Sequence, residues 1–165
     1  MNELVERNYL EIKSLTDLNE SKNILEGYLI QLIKPADFQI NKFFYKNVGK
    51  NHHWVDRLVW TEKQWTDYVS NEKVKTYVLK DKADFAGYFE LILHQNEIEI
   101  AYLGLLEEYQ NKKLGSYLLS TAIKNSFLEK PKRVWVHTCS LDHKNALNNY
   151  LARGMKVFKR ETIRI

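Results

Sequence analysis

Alternation of apolar and polar residues dominates the chain between residues 75 and 106. The segments "KTYVLK", "AGYFELIL" and "EIEIAYLGLL" are rich in β-branched and aromatic residues, a composition typical of strands. The polar breaks "DKAD" and "HQNE" separate the three segments and predict hairpin turns. This region is therefore predicted to form an antiparallel meander of three strands.

A helical period replaces the alternation after the meander. From Leu114 to Phe127, apolar residues recur at spacings of three and four, which predicts an amphipathic helix. After "KPKR", the run "VWVHTCS" predicts a strand. A shorter helix is predicted from Lys144 to Arg153, ended by Gly154, and "MKVFKRETIRI" predicts a closing strand.

The first seventy residues have a less regular pattern. "YLEIKSL" predicts a strand, and "ILEGYLIQLI" is a second apolar segment. "PADFQINKFFYKNV" is predicted to be helical, with Pro35 at its first position and Gly49 at its end. In "TEKQWTDYV", Thr61 and Gln64 have the spacing of a capping box, which predicts another short helix.

Together these elements predict an α/β fold in one domain, residues 1–165. We expect a mixed central sheet that contains the antiparallel meander and carries flanking helices. A length of 165 residues suits one such domain, since it is long enough to bury a core.

Composition and charge exclude several classes of protein. The net charge of +4 comes from 25 basic and 21 acidic residues, far from the dense basic stripe of a nucleic-acid-binding protein. The longest apolar runs, such as "AYLGLL", are too short to span a bilayer, and the start of the chain has no signal-peptide pattern. The lone Cys139 excludes an intrachain disulfide. We therefore predict a cytoplasmic protein with no nucleic-acid or membrane partner.

The segment "EYQNKKLGSYLL", residues 108–119, joins the third meander strand to the long helix. Free amides at a helix start, together with the helix dipole, form an anion site. Gly115 has no Cβ and would allow a ligand to approach the backbone closely, while Lys112 and Lys113 add positive charge. The alternative is an ordinary strand-to-helix turn with two solvated lysines.

Two motifs in this half of the chain resemble those of a known family. "Q-x-x-x-x-G", Gln110 to Gly115, precedes "N-A-x-x-x-Y-x-x-x-G", Asn145 to Gly154, by about thirty residues. This pairing resembles the GNAT superfamily of acetyl-CoA-dependent N-acetyltransferases, over about residues 75 to 158. The loop of that family is Gln/Arg-x-x-Gly-x-Gly/Ala, so Lys113 stands in place of its first glycine.

The resemblance implies acetyl-CoA as co-substrate, with no metal, and main-chain amides that hold its pyrophosphate. It assigns residues 75–165 to an acetyl-CoA-binding core and residues 1–74 to the acceptor side. Backbone amides near Leu105 and Leu106 are implied as oxyanion donors and pantetheine partners. The cofactor-binding residues predicted in this way are Leu105, Leu106, Gln110, Asn111, Lys112, Lys113, Leu114, Gly115, Ser116, Asn145 and Tyr150.

Direct acetyl transfer to an amine needs a base, an oxyanion donor and an acid for the leaving thiolate. By its place in the second motif, Tyr150 is predicted to be the acid; the alternative is a packing tyrosine. Glu99 is predicted to be the base, at the offset from Gln110 found in some histone-acetylating members of the superfamily. Glu90 is the competing carboxylate and His137 the third candidate.

Strand alternation predicts which side chains accompany Glu99. It places Ala101 and Leu103 on the same face as Glu99, and Ile98, Ile100 and Tyr102 on the opposite face.

An aromatic cluster, "NHHWVDRLVWTEKQW", precedes the meander. Trp54, Asp56 and Trp60 are predicted to line the acceptor pocket, where aromatic rings and a carboxylate would suit a cationic amine. The alternative is that the tryptophans pin a short helix to the sheet. The adjacent histidines 52 and 53 lack further ligands at the spacing of a metal site.

The predicted function is transfer of an acetyl group to a primary amine of a small molecule or a peptide. The alternative is a non-catalytic acyl-CoA-binding sensor on the same fold, which Lys113 in the loop favours. The sequence leaves the oligomeric state open between a monomer and a homodimer.

Overall fold

The computed structural model describes residues 3–22 and 25–165. Seven strands and four α-helices form the described part of the chain. The strands are β1 Leu4–Ile12, β2 Tyr28–Leu32, β3 Val74–Asp81, β4 Asp84–His94, β5 Glu97–Leu105, β6 Arg133–Cys139 and β7 Lys156–Arg164. The helices are α1 Phe38–Gly49, α2 Glu62–Val69, α3 Leu114–Phe127 and α4 Ala146–Ala152.

One mixed sheet contains all seven strands, in the order β2-β3-β4-β5-β6-β1-β7. The meander β3-β4-β5 is antiparallel, as the alternation predicted, and the mixed α/β class is confirmed. Its two hairpin turns each contain a residue with positive φ, Lys82 and Gln95, which fits tight connections between twisted strands. Among the strands of residues 3–22 and 25–165, only β5 and β6 pair in parallel.

Helix α3 spans the predicted residues and covers one face of the sheet. Its apolar stripe packs in the main core against side chains from β1, β4, β5 and β6. The other face of the meander is covered by α1, where Phe44 and Val48 pack with Val78 and Tyr88. The capping box of α2 is present: Thr61 Oγ1 accepts from the Gln64 amide at 3.2 Å and Gln64 Oε1 from the Thr61 amide at 2.8 Å.

The N-terminal half differs from the prediction at several boundaries. Helix α1 begins at Phe38 behind an Asp37 N-cap, whose carboxylate accepts from Gln39. Pro35 therefore precedes the helix and does not occupy its first turn. The predicted apolar segment 24–33 forms β2 from Tyr28, and its first residue, Ile24, lies outside the described residues.

Strand β1 lies between β6 and β7 and pairs antiparallel with both. The sequence did not indicate this insertion. The chain then passes over α3, where the Ser21 amide donates to Ser120 Oγ at 2.9 Å, and β2 lies at the edge of the sheet opposite β7. Where it passes α4, Gly154 has φ +104°, and a Cβ there would lie 2.1 Å from the Asp17 carbonyl oxygen, so the predicted cap glycine is also required by close packing.

A β-bulge at Ala101 reverses the predicted faces of the second half of β5. Glu90 is opposite Tyr102, whereas the next residue of β4 is opposite Ile100, which leaves Ala101 as the extra residue. The prediction that Glu99 and Leu103 share a face is therefore wrong. Glu99 shares its face with Tyr102, on the side of α1.

Among the described residues, no helix combines the length and apolar character needed to cross a bilayer.

Candidate active site

A cavity of about 870 Å³ opens where β5 and β6 diverge. The two strands pair only from Glu97 to Glu99, opposite Arg133 to Trp135. Beyond that point β5 continues without β6, because the two parallel strands splay apart. The start of α3, helix α4 and the loop after α1 all contribute residues to the lining of the cavity.

The start of α3 presents free backbone amides to this cavity. Lys113 is the N-cap residue of α3, and a lysine has no side-chain oxygen with which to cap the amides of the first turn. Lys113 has φ +65° and Asn111 has φ +64°. Lys113 therefore adopts the left-handed conformation that favours glycine, at a cost of about 1–2 kcal/mol for a residue with a Cβ.

Helix α4 is tied to the start of α3. Asn149 Nδ2 donates to the Gly115 carbonyl oxygen at 3.1 Å. A Cβ on Gly115 would lie 3.7 Å from that nitrogen, an ordinary contact, so the protein itself leaves room for a side chain there. Asn145 lines the same cavity and, within the described residues, its side chain does not cap α4.

The two backbone amides predicted at the end of β5 differ in their surroundings. The Leu106 amide donates to the Ala86 carbonyl oxygen at 2.9 Å, so it is already used within the sheet and we do not retain it. Because alternate residues of an antiparallel strand bond to the same neighbour, the Leu105 amide points the other way. It faces the gap between β5 and β6, and Leu105 lines the cavity.

Tyr150 lies on α4, is 7% exposed and lines the cavity. Burial, and after it the negative charge of Asp142, raises the pKa of Tyr150 above its ordinary value. The phenol therefore keeps its proton at physiological pH.

Two of the three predicted bases lie in the cavity. Glu99 and His137 both line it, and Glu99 Oε1 is 2.8 Å from His94 Nε2. Burial, followed by the charge of Arg7, lowers the pKa of His137, while the charge of Glu99 acts in the opposite direction. A neutral imidazole can accept a proton.

Glu90, the competing base, does not line the cavity. Its side chain is fully buried and both of its oxygens accept from Arg57 Nη1, at 3.0 and 3.1 Å. A carboxylate held in this way by a buried cation is a structural ion pair rather than an accessible base.

Trp60 of the aromatic cluster, together with Tyr68 and Tyr102, surrounds the guanidinium of Arg57. The Cζ atom of Arg57 lies 4.2 Å from the ring centre of Tyr68, 4.3 Å from that of Tyr102 and 4.7 Å from that of Trp60. Trp60 is thus engaged with Arg57 and does not line the cavity, whereas Trp54 and Asp56 do. Of the two rings predicted for a cationic acceptor, that of Trp60 therefore faces this internal cation, and that of Trp54 lies at the cavity.

Most of the predicted site residues line the cavity, which also contains residues that the sequence did not indicate. Predicted residues that line the cavity are Trp54, Asp56, Glu99, Leu105, Gln110, Asn111, Lys113, Gly115, Ser116, His137, Asn145 and Tyr150. Predicted residues that do not are Trp60, Glu90, Leu106, Lys112 and Leu114. Lining residues that the sequence did not indicate include Arg7, Arg57, Tyr102, His143 and Asn149. Arg7 reaches the cavity because β1 lies between β6 and β7, a position for which the sequence carries no local signal.

Among the described residues, no group of three or more His, Cys, Asp and Glu side chains could hold a metal ion.

Comparison with known proteins gives a family match. The model of the acetyltransferase (GNAT) family matches residues 38–155. No curated protein matches the chain at a significant level.

Solved structures share the fold at low sequence identity. A GCN5-related N-acetyltransferase from Sphaerobacter thermophilus is 14% identical, with a TM-score of 0.76 over 98% of this chain and 51% of that one. A GCN5-related N-acetyltransferase from Kribbella flavida is 12% identical, with a TM-score of 0.69 over 99% and 58%. An IAA acetyltransferase from Bacillus cereus is 21% identical, with a TM-score of 0.59 over 80% and 79%. The chain spans 51–61% of the length of the first three structures matched.

Proposed function

The chain belongs to the acetyltransferase (GNAT) family, and from this premise we propose that it transfers the acetyl group of acetyl-CoA to a primary amine of a small molecule or a peptide. One observation carries the proposal. A single cavity joins the uncapped start of α3 to Tyr150, and both of these to Glu99 and His137.

The proposed coenzyme A site lies at the start of α3. The amides of Lys113, Gly115 and Ser116 would hold the pyrophosphate, because they lack a capping oxygen and lie at the positive end of the helix dipole. Gln110, Asn111 and Asn145 line the same side and would contact the rest of the cofactor. Lys112 and Leu114 lie outside the cavity, so we assign them no direct contact.

In the proposed mechanism the amine attacks the thioester carbon directly. Glu99, with neutral His137 beside it, would take the proton from the amine. The Leu105 amide would donate to the developing oxyanion. Tyr150 would give its phenolic proton to the leaving thiolate, and solvent would later restore it.

The domain assignment follows from the same cavity. We propose one domain in which residues 75–165 carry the cofactor site, and the loop after α1 supplies the acceptor wall through Trp54 and Asp56. A cytoplasmic location and the oligomeric state remain predictions from the sequence.

A thermal-shift titration with acetyl-CoA tests the cofactor site, since a ligand that binds only the folded state raises the apparent stability. We expect a shift that saturates. Release of free thiol with a library of amines then distinguishes an enzyme from an acyl-CoA sensor, which would bind without turnover. The absence of any shift at millimolar acetyl-CoA would contradict both functions.

The left-handed Lys113 gives a prediction about stability and charge. Lys113→Gly should raise the free energy of unfolding by roughly 0.5–1 kcal/mol, because glycine adopts this conformation without strain but loses more chain entropy on folding. Lys113→Asn, which also tolerates the conformation, removes only the charge. We expect both variants to bind acetyl-CoA several-fold more weakly, and Lys113→Arg to bind it normally. Titration calorimetry at two salt concentrations measures this; equal affinity in Lys113→Asn would show that the charge makes no contribution.

The variant Gly115→Ala distinguishes an effect on acetyl-CoA binding from an effect on the stability of the fold. The added methyl group meets protein atoms only at ordinary distances, so the free energy of unfolding should change by less than about 0.5 kcal/mol. The affinity for acetyl-CoA should fall by about tenfold or more, because the methyl group would stand where the ligand approaches the backbone. Thermal unfolding and calorimetry give the two values. Unchanged affinity would place the pyrophosphate away from Gly115.

A further inference from the structure

Arg7 lies on the same face of the sheet as the proposed base. It is opposite Cys139 in the pairing of β1 with β6, and His137 is two residues from Cys139. Side chains two residues apart in a strand share a face, so Arg7 and His137 are diagonal neighbours, with Cα atoms about 7–8 Å apart. Arg7, His137 and Glu99 all line the cavity.

The guanidinium of Arg7 is not saturated by the protein. Its Nε is buried and has no hydrogen-bond partner among the described residues. Its Nη1 lies 3.9 Å from Glu161 Oε1, beyond hydrogen-bond distance, and that oxygen already accepts from the Tyr9 hydroxyl at 2.6 Å. The side chain as a whole is 29% exposed and lines the cavity, so its terminal N–H groups are the part that an anionic ligand would contact.

The acidic groups around the cavity do not compete for this donor. Asp142 accepts two hydrogen bonds, at 2.5 and 3.0 Å, and Glu99 contacts His94. Asp56 and Glu3 are exposed. The acceptor half therefore has a cavity-lining guanidinium that Glu161 holds only by an ion pair at 3.9 Å, and its carboxylates are either hydrogen-bonded or exposed.

We propose that Arg7 binds a carboxylate of the acceptor, so that the substrate is a primary amine carrying a carboxylate a few bonds from its nitrogen. With the amine at Glu99 and His137, a carboxylate on the same small molecule reaches the neighbouring guanidinium. Arginine binds carboxylates through paired N–H groups, which makes Arg7 a specificity-determining residue. This inference rests on the proposed transfer to an amine.

Pairs of acceptors that differ only in the carboxylate test the inference. Phenylalanine is compared with phenethylamine, 4-aminobutyrate with propylamine, and lysine with cadaverine, by kcat/KM from thiol release and by thermal shift in the presence of coenzyme A. We expect the carboxylated member to be preferred at least tenfold in one or more pairs. Arg7→Met should abolish the preference.

Arg160→Met is the matched control. Arg160 lies on the neighbouring strand β7 and donates to Asn8 Oδ1 at 3.1 Å; because Asn8 and Arg7 are adjacent in β1, they point to opposite faces. The control makes the same change of charge outside the cavity and should keep the preference for carboxylated amines.

In Arg7→Met the pKa of His137, followed by NMR, should also rise, because the charge of Arg7 lowers it in the native protein.

The outcomes separate the two proposals. If acetyl-CoA produces no thermal shift, the proposed function fails and the inference with it. If acetyl-CoA binds but no carboxylated amine is bound or acetylated, or cadaverine is preferred, the inference alone is overturned. A preference that persists in Arg7→Met also overturns it.

Discussion

Replacement of Tyr150 by phenylalanine is expected to lower kcat by about two to three orders of magnitude and to leave the affinity for acetyl-CoA unchanged. A positioned general acid contributes roughly this much to a rate. The phenylalanine ring keeps the packing of a side chain that is 7% exposed, so the free energy of unfolding should change little. Stopped assays of thiol release give kcat, and calorimetry gives the affinity.

Tyr109→Phe provides the control for this loss of a hydroxyl group. The Tyr109 hydroxyl donates to Asp81 at 3.0 Å, and Tyr109 does not line the cavity. The control should therefore keep its kcat. If Tyr150→Phe also turns over at the normal rate, Tyr150 is a packing residue and another group, such as a water molecule, protonates the thiolate.

Replacement of Arg57 by methionine is expected to destabilise the protein by about 3–5 kcal/mol, the usual cost of removing one partner of a buried ion pair. Glu90 is fully buried and depends on Arg57 for its hydrogen bonds. A loss of this size is a large part of the 5–15 kcal/mol that stabilises a typical domain. Urea unfolding monitored by tryptophan fluorescence measures it.

The double variant Arg57→Met, Glu90→Met distinguishes the charge from the packing. With both charges gone, apolar side chains of similar volume should restore most of the lost stability, since such replacements of buried pairs are often neutral. Equal destabilisation in the single and double variants would show that the rings around Arg57 need the cation itself.

The variant Glu90→Gln tests the role of Glu90 in catalysis. Because Glu90 lies outside the cavity and this variant keeps the cavity-lining Arg57, it should bind acetyl-CoA normally, and its turnover should fall far less than that of Glu99→Gln. Turnover that falls equally in both variants would return Glu90 to the list of bases.

Local patterns in the sequence predicted most of the elements correctly. The alternation from residue 75 and the helical period from Leu114 are local consequences of burying one face of each element, so both α3 and the meander were confirmed. Pro35 was misplaced because Asp37 is the better N-cap, and a capping side chain decides where a helix begins. The Ala101 bulge was missed because alternation assumes one residue opposite one residue.

In the candidate site, too, local patterns predicted some residues correctly, whereas others depended on contacts between distant segments. Tyr150, Gly115 and Asn145 were predicted through motifs of short spacing, and all three line the cavity. Glu90 and Glu99 were equivalent in the sequence, each a carboxylate within an apolar strand. Only the contact with Arg57, thirty-three residues earlier in the chain, separates them.

The sequence by itself determined the α/β class, the meander, and the start of α3 with the loop before it, because each depends on neighbours a few positions away. Tertiary structure alone decided that Lys113 adopts the left-handed conformation. It also decided that Arg57 fills the aromatic cluster, and that β1 enters between β6 and β7 and brings Arg7 beside His137. These outcomes depend on contacts between distant segments, whose pairing is selected by the packing of the whole domain and leaves no periodic signal in any one of them.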